Sequence, residues 1–194
     1  SIEGKRQINQ YLKQVFPEGL IDLFKDFYLS RINRDELPYK RAEEINVHVS
    51  DWIRDQDRPW FCWVHYMDLH HPYLPPEEYR EANEQEARRL WRLLNDNENS
   101  LTDKDVEALW EFYRGEARYL ADEINSLYDS LLSDGELDNT LVIFTGDHGE
   151  EFREHGTLAH KEKLYDELVH VPLVFSGNPV NKDTTVENVV STLD

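Results

Sequence analysis

The chain has one cysteine, Cys62, in 194 residues, so it closes no disulfide within itself. Cys62 lies in the apolar run Phe61 to Met67 and reads as a small core side chain. Methionine also occurs once, at Met67, and the opening Ser1-Ile-Glu-Gly-Lys-Arg6 does not have the pattern of a signal peptide. No apolar run approaches the roughly 18 residues that a membrane-spanning helix needs, so no membrane segment is expected in this chain. Basic side chains are scarce as well: 21 Lys and Arg stand against 40 Asp and Glu, for a formal net charge of -19. Nucleic acid is excluded as a partner on this count, because phosphate binding rests on clustered Lys and Arg.

The same charge repels a free anion at long range. A site for an anionic ester then needs local positive charge, or salt that screens the surface. At about 1 M salt the Debye length is only about 3 Å, so a halophilic source would reconcile the two; simple solubility from excess charge is the alternative reading. Hydrophobic residues make up 39% of the chain and aromatics 12%, enough for one sizeable core. Neither an internal repeat nor a flexible linker interrupts it.

Helical apolar spacing is expected over 2–15 and 18–29, with a break at Arg34-Asp-Glu-Leu-Pro38. A helix over 40–56 places Ile45, Val49, Trp52 and Ile53 on one face before Pro59 stops it. Trp60 to Met67 is almost wholly apolar and is expected to be a central strand, with Pro72, Pro75 and Pro76 forcing a loop after it. Residues 77–95 read as a surface helix. After cap residues at Ser100 to Asp103, Val106, Leu109, Trp110, Tyr113, Ala117, Leu120, Ile124, Leu127, Tyr128 and Leu131 recur at threes and fours. That is a long amphipathic helix ending at Gly135, a left-handed cap. Strands at 140–146 and Val171 to Phe175 complete an α/β arrangement, expected to be a mostly parallel sheet flanked by helices.

The apolar strand Thr140-Leu-Val-Ile-Phe-Thr145 stops at Gly146, and Asp147 and His148 follow side by side. Asp and Gly after a strand often make only a turn. Here His155, His160 and Lys161 return before the next strand, a concentration of cation-binding and anion-binding groups that a turn does not require. Asp147 offers a hard anionic oxygen and His148 a ring nitrogen, a pair suited to a divalent cation.

Asp147-His148-Gly149-Glu150, His155-Gly156, Lys161, Leu164-Tyr165-Asp166-Glu167 and Val171-Pro172-Leu173 follow one another in the order found in the C-terminal part of the catalytic domain of sulfatases. Trp60 to Pro75 carries a second block, with Asp68, His70, Pro72 and Tyr73. On these two blocks the chain resembles the sulfatase family of the alkaline phosphatase superfamily. The resemblance implies an alkaline phosphatase-like α/β fold, here incomplete, and metal-dependent hydrolysis of sulfate esters, on small molecules or glycans. It implies Asp147 and His148 as metal ligands, usually to calcium. It implies Lys161 as a fixed positive donor to the ester anion and His70 as a proton donor near the leaving oxygen, with His160 competing for the role of Lys161.

From ligand chemistry alone, His148 leans toward Mn2+ or Zn2+, the cations expected of a phosphohydrolase. The family's Cys/Ser-x-Pro-x-Arg nucleophile motif and its aspartate pair do not occur. Residues 1–194 are therefore expected to be a partial catalytic domain, inactive alone, lacking an N-terminal nucleophile portion and a C-terminal tail. A phosphomonoester, phosphodiester or phosphonate hydrolase of the same superfamily is the alternative, and a catalytically silent anion- or partner-binding relative is the rival of another class. His65 and His71 are expected to be structural, His155 to order its loop, and Glu150, Glu151 and Glu154 to be solvated loop acids.

Overall fold

In the computed structural model, residues 37–57, 59–178, 180, 184–188 and 190–192 are described. The helices expected over 2–15 and 18–29 lie outside them. Within the unit Tyr39–Asp194, the helices are α1 (Ala42–Arg54), α2 (Glu84–Asn97), α3 (Asp103–Ser133) and the single turn α4 (Asp166–Val169). The strands are β1 (Leu141–Thr145), β2 (Glu151–Phe152), β3 (Leu158–Ala159) and β4 (Leu173–Gly177).

α3 organises the unit. Thr102 and Asp105 close a reciprocal capping box at its start, satisfying N–H groups that the first turn leaves open. Gly135, just past its end, takes φ 77°. Its buried face runs through Val106, Leu109, Phe112, Glu116, Tyr119, Leu120 and Leu131. Trp110, expected on that stripe, is exposed. Phe112, Glu116 and Tyr119, which the expected spacing skips, are buried on it instead.

α1 packs on α3 through Ala42, Tyr119 and Leu120, and through Ile53, Leu131 and Leu137. The N-cap position of α1, Arg41, makes no side-chain cap. Distant residues supply the acceptors instead: Ala42 N–H donates to Asp68 Oδ1 at 3.2 Å and Glu43 N–H to Tyr119 Oη at 3.2 Å. A carboxylate at a helix N-terminus also meets the positive end of the dipole. Through this bond Asp68 fixes the loop that carries His70 and His71.

The sheet departs from expectation. β1 pairs with β4 and β2 with β3, and both ladders are antiparallel. A parallel pair needs a crossover, usually a helix lying along the sheet; the chain from β1 to β4 carries only the β2–β3 hairpin and the one-turn α4. The apolar faces are also more open than buried strands require, Ile143 and Val174 each being 53% exposed. Among the described residues no further strand covers them.

Trp60 to Met67 forms no ladder among the described residues. Its side chains nonetheless alternate, Phe61 (82%) and Trp63 (73%) facing out while Cys62 and Val64 are half-buried. That is the period of an extended chain without a neighbour to pair with.

Candidate active site

β1 ends at Thr145 and delivers Asp147 and His148 to the loop beyond it. The Asp147 side chain is 69% exposed, its Oδ2 lying 3.9 Å from His148 Nε2 while Oδ1 accepts the His148 backbone N–H at 3.0 Å. His148 Nδ1 lies 2.8 Å from the Gly149 carbonyl oxygen. A carbonyl only accepts, so Nδ1 carries the proton and the lone pair is left on Nε2. The loop is held at its root, where Gly149 N–H donates to Leu168 O at 2.8 Å. A Cβ at Gly149 would stand 1.9 Å from the Glu167 carbonyl oxygen, so only glycine permits this approach.

His160, after β3, brings a second imidazole to this edge, its ring centroid 4.3 Å from that of His148. The loop fixed by Asp68 adds two more: His70 lies 5.2 Å and His71 5.8 Å from His160, centroid to centroid. Thus His70, His160 and His148, three of the expected site residues, are brought together. His71, expected to be structural, joins them; burial, then the neighbouring His70 and His160, push its pKa down to about 4.

Lys161 points elsewhere and pairs with Glu98 at 2.5 Å. His160 and Lys161 therefore do not reach the same spot together.

The loop acids are not all solvated. Glu150 has a side chain only 4% exposed. It accepts the Tyr73 hydroxyl at 2.7 Å and faces His160 Nδ1 at 3.1 Å. Glu151 is fully buried and accepts from Thr157 Oγ1 at 2.6 Å, Thr157 N at 3.2 Å and His155 N at 3.0 Å. Burial works against its charge, but these bonds outweigh it and hold the carboxyl below its ordinary range. Glu151 therefore ties the β2–β3 turn, which explains why it is inside. His155, as expected of a loop-ordering residue, stacks on Tyr165 at 3.8 Å and meets Glu167 Oε2 at 2.9 Å.

Glu116 accepts the Leu74 N–H at 2.9 Å, with Arg41 Nη1 3.9 Å away. Burial dominates and pushes its pKa up to about 8. The nearby Asp68 is raised too, chiefly by burial. Asp68, Tyr73, Glu116 and Glu150 are thus buried polar groups in, or bonded to, the loop that carries His70 and His71. In the sequence only the His70-His71 pair and the nearness of Glu150 to His148 hinted at this arrangement.

The sulfatase family profile matches residues 8–194. The chain belongs to the sulfatase family. An uncharacterised sulfatase of Escherichia coli K12, YidJ, is 27% identical over 173 residues, spanning 79% of this chain and 34% of the relative. Agl7 of Haloferax volcanii, described as a low-salt glycan biosynthesis sulfotransferase, is 31% identical over 146 residues, 73% of this chain and 33% of its own. The choline-sulfatase of Rhizobium meliloti is 24% identical over 161 residues, 74% of this chain and 31% of its own. The chain thus spans about a third of the length of these relatives. Among solved structures, the phosphonate monoester hydrolase of Agrobacterium radiobacter superposes with a TM-score of 0.54 at 24% identity, covering 73% of this chain and 34% of that one. The likeness shows a shared fold, consistent with an alkaline phosphatase-like α/β arrangement.

Proposed function

We propose that this chain supplies one wall of a metal-dependent active site that hydrolyses sulfate esters, of small molecules or of glycans. The observation that carries the reading is the convergence of Asp147, His148, His160 and His70 at the end of β1. The nucleophile, on this reading, belongs to a part of the protein outside these residues, and residues 1–194 are a partial catalytic domain that turns over no ester alone.

Asp147 and His148 hold the divalent cation. An open carboxylate and a lone pair on His148 Nε2 fit such an ion, and the carboxylate oxygen suits calcium. When bound, the cation polarises an ester oxygen and offsets charge that develops in the transition state. His70 and His160 act at Nε2, because each Nδ1 is occupied, by His71 O at 2.7 Å and by Glu150. Protonated there, either ring gives its proton to the departing alkoxide. Lys161 serves as a positive donor to the ester anion only after leaving Glu98. The excess of acid and the Haloferax relative support a halophilic setting, in which salt screens the surface from an anionic substrate.

A second reading, a phosphomonoester, phosphodiester or phosphonate hydrolase, is favoured by the imidazole at position 148, since nitrogen ligands lean toward Mn2+ or Zn2+. Turnover of an aryl sulfate and an aryl phosphate by the intact protein separates the two. Sulfate turnover exceeding phosphate turnover supports the first; phosphate turnover without sulfate turnover overturns it.

A further inference from the structure

We propose that His70, His71 and His160 form a tri-imidazole site for a borderline first-row cation, Zn2+ or Co2+, separate from the cation position at Asp147 and His148. One ligating nitrogen from each ring lies within 4.8 Å of the other two. Zinc–nitrogen bonds of about 2.0–2.1 Å in tetrahedral geometry require each nitrogen to move inward by only about 0.8 Å.

The groups that orient the rings are already in place. His70 Nδ1 donates to the His71 carbonyl oxygen at 2.7 Å, and His160 Nδ1 to Glu150 Oε1 at 3.1 Å. Both rings are thereby fixed in the tautomer whose free lone pair is on Nε2, and a carboxylate behind a ligating histidine raises its basicity. Glu150 is itself held by the Tyr73 hydroxyl at 2.7 Å, so the carboxylate–histidine pair is anchored to the loop that carries the other two rings. All three histidines are half-buried, which limits competition from water.

The ligand set decides the metal. Three nitrogens without a carboxylate oxygen suit zinc or cobalt and discriminate against calcium and magnesium, which prefer oxygen. A filled site takes the lone pairs of His70 and His160, so cation loading and proton donation by the same rings exclude each other. That consequence rests on the hydrolytic reading; the binding does not.

Titration of the 194-residue chain with Co2+, followed by visible absorption, tests the site. The expected result is one equivalent bound with the intense band of low-coordinate cobalt, displaced by Zn2+ and not by a large excess of Ca2+. His71→Asn and His160→Gln are each expected to weaken binding at least about tenfold, and Glu150→Gln by about 10- to 100-fold, as loss of the carboxylate that orients a ligating histidine does. Asp147→Asn is expected to keep the band, which separates this site from the cation position at the end of β1. Far-UV circular dichroism matching the parent identifies the folded variants, and either histidine variant alone suffices. Absence of the band in the parent chain, its persistence in a folded histidine variant, or its loss in folded Asp147→Asn overturns the proposal.

Discussion

His160 directs Nδ1 at the Glu150 carboxylate across 3.1 Å, and the same carboxylate accepts the Tyr73 hydroxyl across 2.7 Å. Glu150 is therefore a positioning residue: it fixes the tautomer of His160 and leaves the lone pair on Nε2. In the intact protein, Glu150→Ala is expected to lower kcat for ester hydrolysis about tenfold or more, with a smaller effect on KM. Glu150→Gln, which keeps an acceptor, is expected to recover part of the loss. Equal kcat in all three proteins contradicts the role.

The buried Glu116 carboxyl makes stability depend on pH. Its folded pKa of about 8 lies above the ordinary glutamate value of about 4.3. Between those values the folded state binds the extra proton, so stability falls as pH rises through this window and levels off above it. Glu116→Gln keeps an acceptor for Leu74 N–H and removes the titration. Denaturant unfolding at pH 5 and pH 8 is expected to show a smaller loss in the variant than in the parent; an identical loss contradicts the assignment.

Gly149 is a packing requirement. Gly149→Ala drives a Cβ to within 1.9 Å of the Glu167 carbonyl oxygen, whereas a Cβ at Gly146 meets nothing nearer than 3.4 Å, the side chain of Val171. The expected cost is about 2–3 kcal/mol at Gly149, as for other overpacked sites, and under about 1 kcal/mol at Gly146. Urea unfolding of both variants checks the contrast.

The net charge of -19 leads to a salt test. Molar KCl shortens the Debye length to about 3 Å and is expected to raise Tm and activity together. A protein equally stable and active in low salt contradicts a halophilic origin for the charge.

How much of this was legible in the sequence depends on which force acts at each position. The long helix α3 was readable because Thr102, the apolar threes and fours, and Gly135 all point to the same element. The position of Asp147 and His148 was readable because a β-branched run breaks at Gly146. The inward turn of Asp68, Glu116, Glu150 and Glu151 was not, since each is paid for by hydrogen bonds from residues far along the chain or across a tight turn, such as Ala42, Leu74, Tyr73 and Thr157. Strand direction was hidden for a similar reason: it is set by the route from Thr145 to Leu173, not by the apolar character of either strand. That His160 rather than Lys161 faces His148 was not legible either, since the pairing of Lys161 with Glu98 depends on a residue 63 positions away.

The most direct measurement is hydrolysis of an aryl sulfate by the intact protein carrying Asp147→Ala, before and after chelation of divalent cations. The expected result is a loss of activity of at least about a hundredfold, as removal of a transition-state electrostatic partner gives, with chelation abolishing parent activity and the cation restoring it in the parent alone. Full activity in the metal-stripped Asp147→Ala protein would contradict a cation-dependent site at the end of β1.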